Sequence, residues 1–139
     1  MAKPKLALYG AGACGGCDVA VLDTNEKILD IAALADIELW PIAVDFKYHH
    51  IEAMADGTID LCLFNGCIRN SEQEHLAKLL RAKSKVMVAF GACAILGGIP
   101  ALANFTNRAE IWERVYVEAQ SMDGNKTFPQ TMTKAMRAS

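Results

Sequence analysis

The sequence predicts one domain with a doubly wound α/β fold, in which helices cover both faces of a parallel sheet. The chain has 139 residues, of which 53% are apolar and 22% are charged, as expected for a globular domain with its own core. Short apolar runs alternate with helical periodicity, and several of these runs end in glycine. We therefore expect one domain over residues 5–119 and a loosely ordered tail over residues 120–139.

The first half of the chain contains two predicted strands separated by a helix. The first strand runs from Lys5 to Tyr9, and the helix follows from about Val19 to Leu34. The second strand runs from Ile37 to Val44. Because Pro41 interrupts this strand and cannot donate a ladder hydrogen bond, the strand suits an edge or a bend. A short amphipathic piece follows near Phe46 to Met54.

The second half repeats the alternation of strand and helix. The run from Ile59 to Phe64 is almost continuously apolar, as in a strand buried on both faces of a parallel sheet. Ser71 and Glu74 have the spacing of a capping box at the start of the next helix. A fourth strand runs from Lys85 to Phe90 and again ends in glycine. Two more helices are predicted, one near Cys93 and one over about Ala109 to Ala119.

Composition and charge exclude several classes of function. The formal charge is -2, and no basic stripe is present, so the sequence does not predict nucleic-acid binding. No apolar run approaches the roughly 18 residues that a membrane span needs. The first ten residues lack the length and the cleavage site of a signal peptide. We expect a cytoplasmic protein.

Four of the five cysteines follow predicted strands. Cys14 and Cys17 come after the first strand, Cys67 after the third and Cys93 after the fourth. Because the carboxyl ends of parallel strands lie along one edge, where ligands bind, these cysteines are predicted to converge there. Cys62 lies inside the third strand and is interpreted as a small buried hydrophobic residue. In a reducing compartment, an odd number of cysteines favours metal ligation or redox chemistry over structural disulfides.

The chemistry of this edge has more than one interpretation. Four converging thiolates can hold an iron–sulfur cluster or a zinc ion, and Gly15 and Gly16 let the backbone wrap closely between Cys14 and Cys17. Taken alone, C-x-x-C is also typical of a thiol–disulfide pair. Asp18, which follows Cys17 directly, is a candidate for an interface with a partner.

A dinucleotide-binding motif overlaps the paired cysteines. Residues 10–15 match G-x-G-x-x-G after a strand and before a helix. That motif expects an acidic residue at the end of the second strand, about 20 residues further on. Here the second strand ends near Asp45, about 30 residues past Gly15. A nicotinamide cofactor is therefore disfavoured.

Three stretches of the sequence resemble the small subunit of [NiFe] hydrogenases. They are CGGCD after the first strand, WPIAVDFKYHHIEAM, and NGCIRNSEQEHLAKLLRAKSKVMVAFGACAILGGIPALAN. The resemblance is to the F420-non-reducing (methyl-viologen-reducing) type, which is also described as similar to the 20 kDa subunit of NADH:ubiquinone oxidoreductase. It extends from about Lys5 to about Gln130.

The resemblance implies a flavodoxin-like domain that holds a proximal [4Fe–4S] cluster. In that family the cluster takes electrons from a nickel–iron site in a partner large subunit. In the methanogen-type branch the electrons then pass to an iron–sulfur adaptor subunit and heterodisulfide reductase. Matched to the family's motifs, Cys14 and Cys17 are the paired ligands and Cys93, in GACAILGG, is the third.

The sequence departs from the family at the fourth ligand. The family's fourth proximal ligand, and the domain with the medial and distal clusters, lie beyond the part that this sequence matches. Either the sequence is part of a longer chain, or this is a shortened member in which Cys67 is the fourth ligand. We expect a non-catalytic subunit that transfers electrons through one [4Fe–4S] cluster held by Cys14, Cys17, Cys67 and Cys93. A structural zinc subunit and a C-x-x-C dithiol oxidoreductase are the alternatives.

Overall fold

The computed structural model describes residues 2–121 and Phe128, so most of the predicted tail lies outside the described residues. The strands are β1 (Lys5–Gly10), β2 (Asp36–Leu39), β3 (Ile59–Asn65) and β4 (Ser84–Phe90). The α-helices are α1 (Gly16–Leu22), α2 (Lys27–Leu34), α3 (Tyr48–Ala53), α4 (Ser71–Lys83), α5 (Ala92–Leu96) and α6 (Arg108–Tyr116). A 3₁₀ helix, Pro100–Phe105, precedes α6.

The four strands form one parallel sheet in the order β2-β1-β3-β4. The chain moves one way from β1 to β2 and the other way from β2 to β3 and β4. Because such crossovers are right-handed, helices on these two sides of β1 lie on opposite faces of the sheet. This order is that of a flavodoxin-like sheet, and it confirms the predicted doubly wound fold. Gly10, Asn65 and Phe90 pair across the sheet, so β1, β3 and β4 end at one edge.

The core lies between one face of the sheet and helices α3 and α4. We call this the closed face, and its buried members are Ala7, Tyr9, Leu39, Ile51, Ile59, Cys62, Phe64, Leu76 and Leu80. The rings of Tyr9 and Phe64 pack side by side with centroids 5.4 Å apart. Cys62 is fully buried, which confirms its interpretation as a core residue.

Two elements are shorter than the sequence predicts. The helix expected over 19–34 is broken, because Thr24 Oγ1 donates to the Val21 carbonyl and Asn25 takes a left-handed φ of 54°. The strand expected to reach Val44 ends at Leu39. Pro41 cannot donate a ladder hydrogen bond, and the chain turns there instead.

Helix α4 begins at Ser71, where the sequence places its start, but its N-cap differs from the predicted capping box. Asn70, rather than Ser71, is the N-cap, and its side-chain oxygen accepts a hydrogen bond from the Gln73 backbone N–H at 2.9 Å. Ser71 is already the first helical residue, so the predicted capping box is wrong. Among the described residues, no helix has the length and apolar character needed to cross a membrane.

Candidate functional site

The four cysteines lie on three segments that follow β1, β3 and β4 at the shared edge of the sheet. Cys14 lies before α1 and Cys17 in its first turn, Cys67 follows β3, and Cys93 lies in α5. Reciprocal backbone hydrogen bonds tie two of these loops together, since the N–H of Gly12 donates to the Cys67 carbonyl at 2.8 Å and the reverse bond is 3.0 Å. We call the strand-end loops that carry these four cysteines the cysteine edge.

The Cys17 thiol is close enough to two other cysteines to be affected by their charge. Its pKa is raised above the ordinary value, first by burial and then by the neighbouring Cys14 and Cys93 thiols, with a smaller effect from Asp18. Cys67 is not among the groups that raise it. Negative charges at these positions repel one another, so cationic irons bound among the sulfurs would relieve that repulsion. The chemistry of the donor set therefore fits an iron–sulfur group.

Three of the thiols lie where a glycine, which has no side chain, leaves space for the sulfur. A side-chain carbon added at each of these glycines would press on a cysteine sulfur, so no other residue fits without movement. The added carbon would lie 2.2 Å from Cys17 Sγ at Gly91, 3.0 Å from Cys93 Sγ at Gly98 and 3.3 Å from Cys14 Sγ at Gly16. The N–H of Gly16 also donates to Cys14 Sγ at 3.4 Å, and N–H donors of this kind tune the potential of iron–sulfur clusters.

Cys67 occupies a different part of the edge. Its thiol donates to the Gly12 carbonyl at 3.4 Å. Together with Cys93 it lines a cavity of about 550 Å³ whose other walls include Phe64 and Met87. Cys93 is therefore the residue shared by the group around Cys17 and the cavity that Cys67 lines.

The four thiols do not form a compact site for one metal ion. Within residues 2–121 and Phe128, no three side chains of His, Cys, Asp or Glu have the spacing to coordinate a single ion. In a four-iron cluster each cysteine binds a different iron, so the ligands of such a cluster surround a larger group.

A buried polar group lies beneath the edge and was not predicted from the sequence. Asp18 is only 4% exposed and is buried within the chain, where a candidate for a partner interface was expected. Its carboxylate accepts hydrogen bonds from Trp40 Nε1 at 2.9 Å and Asn65 Nδ2 at 3.1 Å. Trp40 and Asn65 had no spacing or motif to mark them. The one available signal was an asparagine at the end of an otherwise apolar strand.

The fold and the edge define a class, namely flavodoxin-like α/β domains that carry cysteines where the strands of the sheet end. Within that class the chain belongs to the family of the NADH:ubiquinone oxidoreductase 20 kDa subunit, whose model matches residues 14–134.

Two curated relatives are subunits of F420-non-reducing hydrogenases. The iron–sulfur subunit of the enzyme from Archaeoglobus profundus is 47% identical over 132 residues, which cover 94% of this chain and 41% of the relative. The corresponding subunit from Methanothermobacter thermautotrophicus is 35% identical over 117 residues, which cover 84% of this chain and 36% of the relative. The chain therefore spans about two fifths of the length of these relatives. It is a hydrogenase-related member of the 20 kDa family.

A solved structure shows the same fold. A chain of an NAD⁺-reducing [NiFe]-hydrogenase in the H₂-reduced state superposes with a TM-score of 0.81 at 24% sequence identity. The superposition covers 93% of this chain and 68% of that chain. At this identity the likeness establishes the flavodoxin-like architecture alone.

Proposed function

We propose that this chain is an electron-transfer subunit of a hydrogenase-like multisubunit oxidoreductase and relays electrons through one [4Fe–4S] cluster. The observation that carries the proposal is the gathering of the Cys14, Cys17 and Cys93 thiols over glycine backbone at the cysteine edge. The relative named as an iron–sulfur subunit of a hydrogenase supports it. The cluster, when bound, supplies one-electron redox chemistry, and no bond-making step falls to this chain.

Each cysteine has a defined part in the proposal. Cys14 and Cys17 bind from the loop and first turn after β1, and Cys93 binds from α5. Cys67 is proposed as the fourth ligand because its loop is tied by backbone hydrogen bonds to the loop that carries Cys14.

The proposed partner is a hydrogenase-like large subunit, followed by an iron–sulfur adaptor subunit and heterodisulfide reductase. Support comes from an apolar surface next to Cys93, because large exposed apolar side chains mark interaction sites. Five of them, each at least 59% exposed, lie on or between α5 and the 3₁₀ helix: Ile95, Leu96, Ile99, Leu102 and Phe105. A partner seated there would lie beside the cluster. The cytoplasmic location stays a prediction.

Iron and acid-labile sulfide, measured on anaerobically purified protein with EPR after dithionite reduction, test the proposal. We expect about four irons per chain and the signal of a reduced cluster. The variants Cys17→Ser and Cys93→Ser should lose both, whereas Cys62→Ala, which changes a cysteine of the closed face, should keep both.

The same measurement separates the alternatives. Zinc without sulfide would replace the proposal with a structural zinc subunit, and folded protein with neither metal nor sulfide would leave the dithiol oxidoreductase. Cys67→Ser addresses the fourth ligand separately. If this variant keeps an unchanged four-iron spectrum, Cys67 is not a ligand, although the electron-transfer function would stand.

A further inference from the structure

A buried carboxylate belongs to the residue that follows Cys17, one of the proposed cluster ligands. Asp18 follows Cys17 in the first turn of α1, and its side chain turns away from solvent. Both oxygens are engaged, since Trp40 Nε1 donates to Oδ1 at 2.9 Å and Asn65 Nδ2 donates to Oδ2 at 3.1 Å. Trp40 and Asn65 are themselves almost completely buried. The three residues form a fixed polar group inside the protein.

This group joins the ends of three strands. Asp18 belongs to the segment that follows β1, Trp40 comes directly after β2, and Asn65 is the last residue of β3. The packing is close, because a side-chain carbon at Gly10 would lie 3.1 Å from both Asp18 Oδ2 and Asn65 Oδ1. The carboxylate therefore has little freedom to move away from the Cys17 loop.

Among the described residues, the hydrogen-bond donors to the Asp18 carboxylate are neutral. None of the ion pairs among the described residues involves Asp18. A buried carboxylate without a cationic partner is costly, and it is screened by solvent far less than a surface charge. Its negative charge is therefore weakened by solvent less than a surface charge would be, and Cys17 is the residue that precedes it in the chain.

We propose that the buried carboxylate of Asp18, held by Trp40 and Asn65, lowers the reduction potential of the cluster bound at Cys17. Reduction adds one electron to the cluster and leaves every bond of Asp18 in place. A fixed negative charge nearby makes the arrival of that electron less favourable. Asp18 thus affects the cluster through the electrostatic field of its carboxylate. This inference rests on the proposed function.

The test is a redox titration of the reconstituted full chain, followed by EPR. Asp18→Asn removes the charge but keeps the shape. Once the Asn65 amide turns over, the new amide can donate to Asn65 Oδ1, which has no hydrogen-bond partner in the described structure. We expect a positive shift in midpoint potential with the iron content unchanged. Asp23→Asn is the matched control, since it makes the same change at an exposed position at the end of α1, and it should leave the potential unchanged.

A second variant separates charge from structure. Trp40→Phe removes one donor and leaves the carboxylate less neutralised, so the midpoint potential, measured at pH 9 to keep the carboxylate charged, should shift in the negative direction. A purely structural role would move both variants in the same direction, and that result would overturn the inference. Equal potentials in wild type and Asp18→Asn would also overturn it. If Asp18→Asn fails to bind a cluster, the absence of a negative shift in Trp40→Phe overturns it instead. A wild-type chain without a cluster would refute the proposed function.

Discussion

The closed face and the cysteine edge place the same residue type in opposite environments. Cys62 and Cys67 are five positions apart on one strand and the loop that follows it. Cys62 is 0% exposed among aromatic and aliphatic side chains, and burial raises its pKa to about 11. Cys67 lies in a glycine-containing loop and lines an open cavity with Cys93. Strand position, rather than residue type, decides whether a cysteine packs or is available for chemistry.

The comparison also separates what stabilises the fold from what binds the cofactor. The closed face is made of large side chains that exclude water, and burial of apolar area is the main favourable term in folding. The cysteine edge is made of small residues and backbone hydrogen bonds, which contribute less to stability but set positions closely. Changes at the edge should therefore abolish the cluster and spare the fold, and changes at the closed face should do the reverse.

Gly91→Ala should have the largest effect, a complete loss of the cluster. The added carbon would lie 2.2 Å from Cys17 Sγ, and the φ of 87° is strained for any residue with a side chain. Iron and sulfide per chain measure the loss. Gly57→Ala is the matched control, because Gly57 has a similar φ of 70° but its nearest contact is the Lys85 side chain at 3.9 Å. Gly57→Ala should keep its iron, and a Gly91→Ala variant with wild-type iron would contradict the assignment of the edge.

Leu80→Ala tests the closed face. Leu80 is fully buried on the closed face, so truncation should lower the free energy of unfolding by about 2–5 kcal/mol. Urea unfolding of the chain measures this loss. The same substitution at the exposed Leu34 of α2 should change the stability by less than about 0.5 kcal/mol. Protein that stays folded should bind the cluster with an unchanged EPR spectrum. A large spectral change in Leu80→Ala would show that the two regions are coupled.

Sequence alone predicted the sheet better than the contacts beneath the cysteine edge. Apolar runs ending in glycine located β1, β3 and β4, because strands buried in a parallel sheet carry a strong local pattern. The helix break at Asn25 was missed, since weak local hydrogen bonds decided it.

The candidate site was also predictable only in part. Parallel topology was enough to bring Cys14, Cys17 and Cys93 to one edge. The hydrogen bonds of Asp18 to Trp40 and Asn65 join positions 22 and 47 residues away. No periodicity or spacing encodes such pairs, because they depend on how the loops pack after the sheet has formed.

The thiol of Cys62 should give the closed face a measurable pH dependence. Burial holds its pKa at about 11, against an ordinary value of 9.0. Below pH 9 the thiol is protonated in both states, and its contribution to stability is fully present. Between pH 9 and 11 the unfolded chain releases the proton while the folded chain retains it, so stability falls as the pH rises.

This loss of stability is the smallest of the predicted effects, and it amounts to roughly 3 kcal/mol at most between about pH 9 and about pH 11. Urea unfolding at pH 8 and at pH 11, compared between wild type and Cys62→Ala, isolates it from the other thiols. The free energy of unfolding of wild type should fall relative to that of Cys62→Ala as the pH rises. A difference that stays constant with pH would mean that Cys62 ionises as easily in the folded chain as in the unfolded one. In that case the closed face would admit water at β3, and the contrast with the cysteine edge would be one of degree.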